Sequence, residues 1–164
     1  MSVGRMPAAE RITHSSIHPW STVHVSDAIT IHARPERLIS LYLDIAHWPQ
    51  LFPDTIRGAR LLGKKGNETT VEVDHRTAGR VLNIIRRRSA TEIELDELKP
   101  RYAATFLNRF DPVPEGTRYT VVADIRLRMP YALLAPILMG YVRRMVRRYV
   151  LEPMRELAEQ GAPA

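Results

Sequence analysis

The chain has 164 residues, which is enough for one domain and leaves little room for a second. Hydrophobic residues make up 45% of it and charged residues 26%, a composition typical of a globular protein rather than a disordered one. The absence of cysteine excludes disulfides, a cysteine nucleophile and thiolate metal ligands. The longest apolar run, 131–142, is shorter than the roughly 20 residues that cross a bilayer, and the N-terminus has no signal-peptide core. We therefore expect a cytoplasmic protein.

The net charge is +6, from 24 Lys and Arg residues against 18 Asp and Glu residues. A basic balance permits an anionic partner, and the location of the charge is more informative than its total. One arginine cluster, 86–88, lies in an apolar run with strand character. The second lies in a run with helical spacing and consists of Arg143, Arg144, Arg147 and Arg148. This second stripe suits either anionic lipid headgroups or a solvated helix face.

The first third of the chain predicts an arm, a strand and two short helices. Residues 1–20 lack periodicity and predict a flexible arm ahead of a domain at 21–160. Residues 22–31 alternate between polar and apolar, with Asp27 as the exception on the apolar side, which predicts a half-buried strand. Pro35 suits the first turn of a helix that ends before Pro49, and 48–53 predicts a second short helix or turn.

The rest of the chain predicts a sheet and one long helix. Six further strands are predicted at 56–62, 69–76, 80–89, 92–96, 102–110 and 118–128, and 111–116 gives the longest loop signal. After Pro130, helical spacing continues to about residue 160, with a kink at Pro153. Short connections favour antiparallel pairing, and segregated helices favour an α+β layer fold. We predict a curved seven-stranded antiparallel sheet wrapped around the long C-terminal helix, with a hollow between them.

The segment 44–53, with the sequence DIAHWPQLFP, resembles a motif of the START-like (SRPBCC) superfamily of helix-grip proteins. Together with the order of the predicted elements, the resemblance covers residues 21–158 and is closest to the polyketide aromatase/cyclase branch. It implies a helix-grip fold with a deep pocket between the sheet and the terminal helix. It also implies that the pocket holds a poly-β-ketone, and that the reaction is aldol cyclisation and dehydration.

A second segment resembles a strand that lines the pocket of aromatase/cyclases. It begins at Gly79 and continues with alternate residues Leu82, Ile84, Arg86 and Arg88. The resemblance implies that Arg88 is catalytic, binding substrate oxygens and stabilising an enolate, and that the other three residues bind ligand. The sequence departs from the family at Thr55 and Arg86, where those enzymes have hydroxyl proton donors, and at Leu82 and Ile84, where they have tryptophan.

Periodicity alone leaves the orientation of this strand open. Val81 and Ile85 are as apolar as Leu82 and Ile84, so either face suits the interior. The family resemblance favours arginines that face inward, where they would bind an anionic or keto oxygen. If the same face is exposed, Arg86 and Arg88 pair instead with acidic neighbours such as Asp74 or Glu94.

The remaining candidate ligand-binding residues come from several elements. The short-helix segment supplies Trp48, Phe52 and Thr55, and the later elements supply Phe106, Asn108, Tyr119 and Leu138. Trp48 is equally suited to filling the core at a helix corner. Asn108 and Tyr119 are equally suited to being buried residues that bond to their neighbours.

The expected partner is a hydrophobic small molecule with an anionic or keto group, and we expect neither a cofactor nor nucleic acid. The six histidines, 14, 18, 24, 32, 47 and 75, give no metal-binding set, and phosphate loops and serine elbows are absent. The leading hypothesis is a polyketide cyclase. The second is a non-catalytic lipid or quinone carrier in peripheral contact with a membrane, and the third is a ligand-sensing or structural partner. Monomer and homodimer both stay open.

Overall fold

A computed structural model describes residues 20–99, 102–128 and 130–160, so the predicted arm lies outside the described residues except for Trp20. The sheet consists of β1 (Trp20–Ile31), β2 (Ile56–Lys65), β3 (Glu68–His75), β4 (Gly79–Arg87), β5 (Glu92–Leu98), β6 (Tyr102–Val113) and β7 (Gly116–Arg128). All neighbours are antiparallel, in the order β1-β7-β6-β5-β4-β3-β2.

Two short helices, α1 (Pro35–Leu43) and α2 (Trp48–Leu51), follow β1 and are joined by a 3₁₀ turn, Ile45–His47. The terminal helix begins after a 3₁₀ turn at Tyr131–Leu134. It consists of α3 (Ala135–Val146), a π-helical turn (Arg147–Leu151) and α4 (Glu152–Glu159). The predicted α+β helix-grip fold is therefore confirmed. Within the described ranges, no helix is long and apolar enough to span a membrane.

The π-helical turn lies where the sequence predicts a kink. Pro153 has no N–H, so it cannot donate to the carbonyl four residues before it. The preceding residue, Glu152, donates its N–H to the carbonyl of Arg147, five residues back. This wider turn carries the helix past the proline without ending it.

The predicted loop at 111–116 is wrong, because β6 continues through Val113 and only Pro114 and Glu115 form the turn. The pairing of β5 with β6 extends no further than Arg109 of β6. Pro112 therefore lies beyond the end of β5. There is no β5 residue opposite it to receive a hydrogen bond, so its missing N–H costs the sheet nothing on the β5 side.

The terminal helix covers the concave face of the sheet unevenly. Leu151, Met154 and Ala158 are buried in the main core, together with the inward residues of the strands and α1. In α3, by contrast, Val146 is the buried residue, and the first turns stand further from the sheet. Tight packing at one end and loose packing at the other leave space under α3.

Asp27, the polar exception in β1, is paired from the helix. Arg147 donates from Nε to Asp27 Oδ2 at 2.8 Å and from Nη2 to Asp27 Oδ1 at 2.6 Å. The Asp27 side chain is mostly buried, so its charge requires such a partner. One of the four arginines in the helical stripe thus fixes the helix on β1.

The turn between β6 and β7 gives a sharp test of the fold. Gly116 has a φ of 140°, and a Cβ there would lie 2.3 Å from the carbonyl oxygen of Ile31. We expect Gly116→Ala to reduce the free energy of unfolding by at least about 2 kcal/mol, measured by denaturant titration. Gly63→Ala is the control: no atom lies within 4 Å of its Cβ position, and a loss of stability above about 0.5 kcal/mol there would contradict the argument.

Candidate functional site

A cavity of about 510 Å³ lies between the concave face of the sheet and the terminal helix. Its size falls within the range of roughly 300–1,000 Å³ that is usual for small-molecule sites. The inward faces of β3 to β7 form one wall, and aromatic residues of α1 and α2 close one end. Residues of the terminal helix form the roof, among them Leu138, Val142 and Met145. Most of this lining is apolar.

Six of the predicted ligand-binding residues line this cavity, namely Trp48, Phe52, Thr55, Phe106, Asn108 and Leu138. Trp48 is also a core residue, as the alternative interpretation held, because its indole N–H donates to the carbonyl of Tyr42 at 2.8 Å. Thr55 donates its hydroxyl to the Phe52 carbonyl at 3.4 Å. Tyr119 lies one layer behind the cavity wall and reaches it through Asn108.

The predicted orientation of β4 is wrong. Leu82, Ile84, Arg86 and Arg88 do not line the cavity, and the Leu82 side chain is 53% exposed on the convex face. The inward face carries Val81, Asn83 and Ile85, all of which are buried. A shift of one residue moves every side chain of a strand to the other face of the sheet. Relative to the expected pattern, β4 has such a shift, so the residues predicted to face inward face outward.

Acidic residues on the convex face account for the position of the arginines. Arg86 pairs across the strands with Glu68 at 2.6 Å, with Glu94 at 3.2 Å and with Asp96. Arg88 pairs with Glu94 at 2.6 Å. The structure therefore agrees with the second interpretation of the sequence, in which these arginines pair with acidic neighbours such as Glu94. The catalytic role implied for Arg88 has no geometric support, because its guanidinium lies on the opposite side of the sheet from the cavity.

One end of the cavity is polar and charged. Lys99 Nζ lies 2.5 Å from Glu97 Oε1 and donates to the Tyr102 hydroxyl at 2.8 Å. The Tyr102 hydroxyl donates in turn to Glu97 Oε1 at 3.1 Å. His75 Nε2 lies 3.4 Å from Glu97 Oε2, at the limit of a hydrogen bond. We call these four residues the polar end of the cavity.

The carboxylate and the ammonium group at the polar end are both ionised. Burial raises the pKa of Glu97, but hydrogen bonding with His75 and the charge of Lys99 outweigh it and lower that pKa to about 2. Burial lowers the pKa of Lys99, and the charge of Glu97 more than reverses this, so the pKa is raised. An ion pair this deeply buried is stable only when its remaining hydrogen-bonding groups are satisfied.

Two buried polar atoms near the polar end have no well-formed hydrogen bond within the described part of the chain. They are His75 Nε2, apart from its long contact with Glu97, and Asn83 Oδ1. Both residues line the cavity, and Asn83 is the register partner of Glu97. A buried polar atom without a partner costs about 1–3 kcal/mol, so such atoms mark a place where a bound molecule or water completes the bonding.

A second polar group lies deeper, against α1. The Tyr119 hydroxyl donates to Asn108 Oδ1 at 2.7 Å, and Asn108 Nδ2 donates to the Tyr42 hydroxyl at 3.0 Å. Tyr42 and Asn108 line the cavity. Burial raises the pKa of both tyrosines well above its ordinary value, so both hydroxyls keep their protons.

The sequence interpretation missed the polar end, although a signal was present. His75 follows the buried Val71 and Val73 at the same period of two, Asn83 lies between Val81 and Ile85, and Glu97 continues the face of Ile93 and Leu95. A polar residue that continues an apolar alternation is a candidate for a buried functional group. Within the described ranges, no group of three or more His, Asp or Glu side chains has the arrangement of a metal site, and His14 and His18 lie outside those ranges.

Comparisons with known proteins agree with this architecture. No family model and no curated protein matches the chain. Among solved structures, the di-domain ARO/CYC BexL from the BE-7585A biosynthetic pathway has a TM-score of 0.72 at 16% identity. The match covers 87% of this chain and 51% of BexL, so this chain spans about half of that protein.

Two other structures match over almost their whole length. A START superfamily protein from Mycobacterium smegmatis has a TM-score of 0.71 at 17% identity, covering 85% of this chain and 99% of that one. The Zhui aromatase/cyclase from Streptomyces sp. R1128 has a TM-score of 0.67 at 18% identity, covering 88% and 98%. The resemblance to START-like and aromatase/cyclase proteins is therefore confirmed at the level of the fold. This chain is a helix-grip protein with an internal cavity that is polar at one end.

The ionised carboxylate at the polar end predicts a specific acid response. The pKa of Glu97 falls from an ordinary 4.5 to about 2, so the stabilisation is complete above pH 4.5 and is lost as the pH falls towards 2. Between pH 4.5 and pH 2, the unfolding free energy of the wild type should therefore fall. In Glu97→Gln we expect this fall to be smaller by on the order of 3 kcal/mol. Unfolding titrations at several pH values measure it. Glu115→Gln, in the turn between β6 and β7, is the control, and equal pH dependence in both variants would contradict the assignment.

Proposed function

We propose that this protein binds an extended, largely apolar small molecule with oxygen functions in the cavity under the terminal helix. The observation that carries the proposal is the cavity itself, an apolar space of about 510 Å³ with incompletely bonded polar atoms at one end. Apolar walls supply affinity, and the few polar groups fix the orientation of the ligand. The ion pair of Glu97 and Lys99 already neutralises itself, which favours a keto or phenol group over a second carboxylate.

The reaction we propose is aldol cyclisation and dehydration of a poly-β-ketone. The fold shared with aromatase/cyclases supports it, and the polar end offers groups of the required kind. In an aldol step, a base removes a proton from a methylene carbon between two carbonyls. The enolate carbon then bonds to a second carbonyl carbon, whose oxygen takes up a proton, and dehydration releases water.

The chain's own residues suit the steps of this reaction as follows. The Lys99 ammonium group lines the cavity and is a hydrogen-bond donor to an enolate oxygen, a stabilisation typically worth a few kcal/mol. The His75 imidazole is our candidate for the proton acceptor: with the Nε2 proton directed at Glu97, Nδ1 is the ring nitrogen left to accept a proton. Glu97 fixes both groups through its two oxygens. Arg88 has no part in the proposal.

A non-catalytic lipid or quinone carrier is the second candidate, and the outer face of α3 favours it. Leu133 and Ile137 are 73% and 76% exposed, and Met139 and Tyr141 are half exposed beside them. Residues 130–151 contain no Asp or Glu, and Arg144 and Arg148 are exposed in the same segment. Apolar side chains next to arginines suit an anionic membrane surface, and this face adjoins the roof of the cavity.

Filling the cavity tests the binding proposal directly. We expect the neutral fluorophore N-phenyl-1-naphthylamine to bind the protein and Leu138→Trp to weaken that binding at least tenfold, because the indole occupies ligand space under the roof. Fluorescence titration measures both. Ile137→Trp, one residue along on the exposed side of the same helix, and Arg88→Ala on the convex face should bind as the wild type does. Absence of binding to the wild type would overturn the proposal.

One comparison separates the enzyme from the carrier. For the enzyme, we expect a synthetic poly-β-ketone thioester to give cyclised, dehydrated products by mass spectrometry. His75→Gln should slow this at least about 100-fold while leaving N-phenyl-1-naphthylamine binding intact. For the carrier, the expected results are no turnover, binding to phosphatidylserine-containing vesicles that weakens with salt, and loss of that binding in Ile137→Asp. Turnover that is unchanged in His75→Gln would refute its role as proton acceptor.

A further inference from the structure

The hydrogen bonds of Asn108 have a direction that the structure fixes. The amide nitrogen Nδ2 lies 3.4 Å from the carbonyl oxygens of both Ile93 and Phe106 and 3.0 Å from the Tyr42 hydroxyl. A carbonyl oxygen only accepts, so the group that faces two of them is the NH₂ and not the amide oxygen. Oδ1 therefore faces Tyr119, and the Tyr119 hydroxyl is the donor in that bond of 2.7 Å.

This direction leaves the proton of the Tyr42 hydroxyl without an acceptor. An amide NH₂ cannot accept a hydrogen bond, so Tyr42 can only receive one from Asn108. Within residues 20–99, 102–128 and 130–160, Asn108 is the hydrogen-bond partner of that hydroxyl. The Tyr42 side chain is buried, at 4% exposure, and it lines the cavity. A buried O–H group with no acceptor is costly, and the open side of this one is the cavity.

The position of the Tyr42 ring is fixed by its neighbours. It makes edge contacts with Trp48, Phe52 and Phe110 at centroid distances of 5.9, 6.5 and 6.1 Å. The Tyr42 carbonyl also accepts the bond from the Trp48 indole. The hydroxyl is therefore held in place before a ligand arrives, which is what makes a single hydrogen bond useful for orientation.

We infer that the Tyr42 hydroxyl donates a hydrogen bond to a carbonyl oxygen of the ligand, at a point separate from the polar end of the cavity. Asn108 lies four residues along β6 from Ala104, the register partner of Glu97. At about 3.3 Å per residue, the backbone positions that carry the two polar points are offset by roughly 13 Å along the sheet. The inference rests on the proposed function and narrows its ligand class.

The ligand class that fits both points is an extended neutral molecule with carbonyl oxygens at two separated positions, such as a polyketone or a quinone. A fatty acid or another lipid with one polar terminus would satisfy one point and leave the other unpaired. Asn108 and Tyr119 act through Tyr42, since they orient its oxygen and do not themselves supply the donated proton. They are positioning residues, with Tyr119 as the origin of the hydrogen-bond chain.

A pair of fluorescent probes tests the inference. The ketone probe 6-propionyl-2-dimethylaminonaphthalene emits at longer wavelength when its carbonyl accepts a hydrogen bond, and N-phenyl-1-naphthylamine has no carbonyl. We expect Tyr42→Phe, which removes a single oxygen atom, to weaken binding of the ketone probe about fivefold and to shift its bound emission to shorter wavelength. Binding of N-phenyl-1-naphthylamine should be unchanged, which also shows that the variant is folded. Tyr119→Phe should give a smaller change in the same direction.

The outcomes distinguish the two levels of the proposal. If neither probe binds the wild type, the proposed function fails and the inference fails with it. If both probes bind and Tyr42→Phe changes neither the affinity nor the emission of the ketone probe, the proposed function stands and the inference is overturned. A second measurement reads the same bond directly: the infrared carbonyl stretch of the bound ketone probe should be lower in the wild type than in Tyr42→Phe. Equal stretches in the two proteins would also overturn the inference.

Discussion

The concave face of the sheet must be covered, and beyond the end that α1 and α2 close, the terminal helix has to cover it. Seven strands present a wide apolar surface, while the terminal helix supplies a single stripe of side chains. Its C-terminal half packs closely through Leu151, Met154 and Ala158, and α3 stands further away. The cavity is the space that this unequal cover leaves, so its position follows from packing and not from any feature of the arginines on β4. The chain itself therefore leaves this part of its interior unfilled.

The interior contains two kinds of polar group, which differ in how far they are satisfied. The ion pair of Glu97 and Lys99 persists because each charge stabilises the other in surroundings that would otherwise neutralise both. The chain from Tyr119 through Asn108 to Tyr42 is neutral and directional. Each group has unused hydrogen-bonding capacity that faces the same space. Polar groups with this arrangement restrict which oxygen-bearing molecules fit more strongly than they raise affinity.

The sequence predicted the order and type of the elements because those depend on local periodicity and on proline positions. It predicted six of the cavity-lining residues, two of which, Trp48 and Phe52, lie in the segment 44–53 that carries the family resemblance. It did not predict the orientation of β4, because both faces are apolar and the choice is made by Glu68, Glu94 and Asp96 on neighbouring strands. The prediction of a loop at 111–116 was wrong for a related reason. Pro112 is tolerated in β6 because β5 ends before it, and where β5 ends depends on the pairing of the two strands and not on the local sequence. Long-range pairing, absent from local patterns, decided both.

The wide turn at Arg147–Leu151 has a geometric consequence for the ligand space. A π-helical turn contains one residue more than the α-helical turn it replaces, and each residue of an α-helix rotates the chain by about 100°. The turn thus sets the rotational phase of α3 relative to α4, and with it the direction in which Leu138 and Val142 point. Shortening this turn by one residue would rotate the roof by more than a quarter circle while the anchored half stayed in place. The shape of the cavity therefore depends on the extra residue in this turn, and so on Pro153, which does not line the cavity itself.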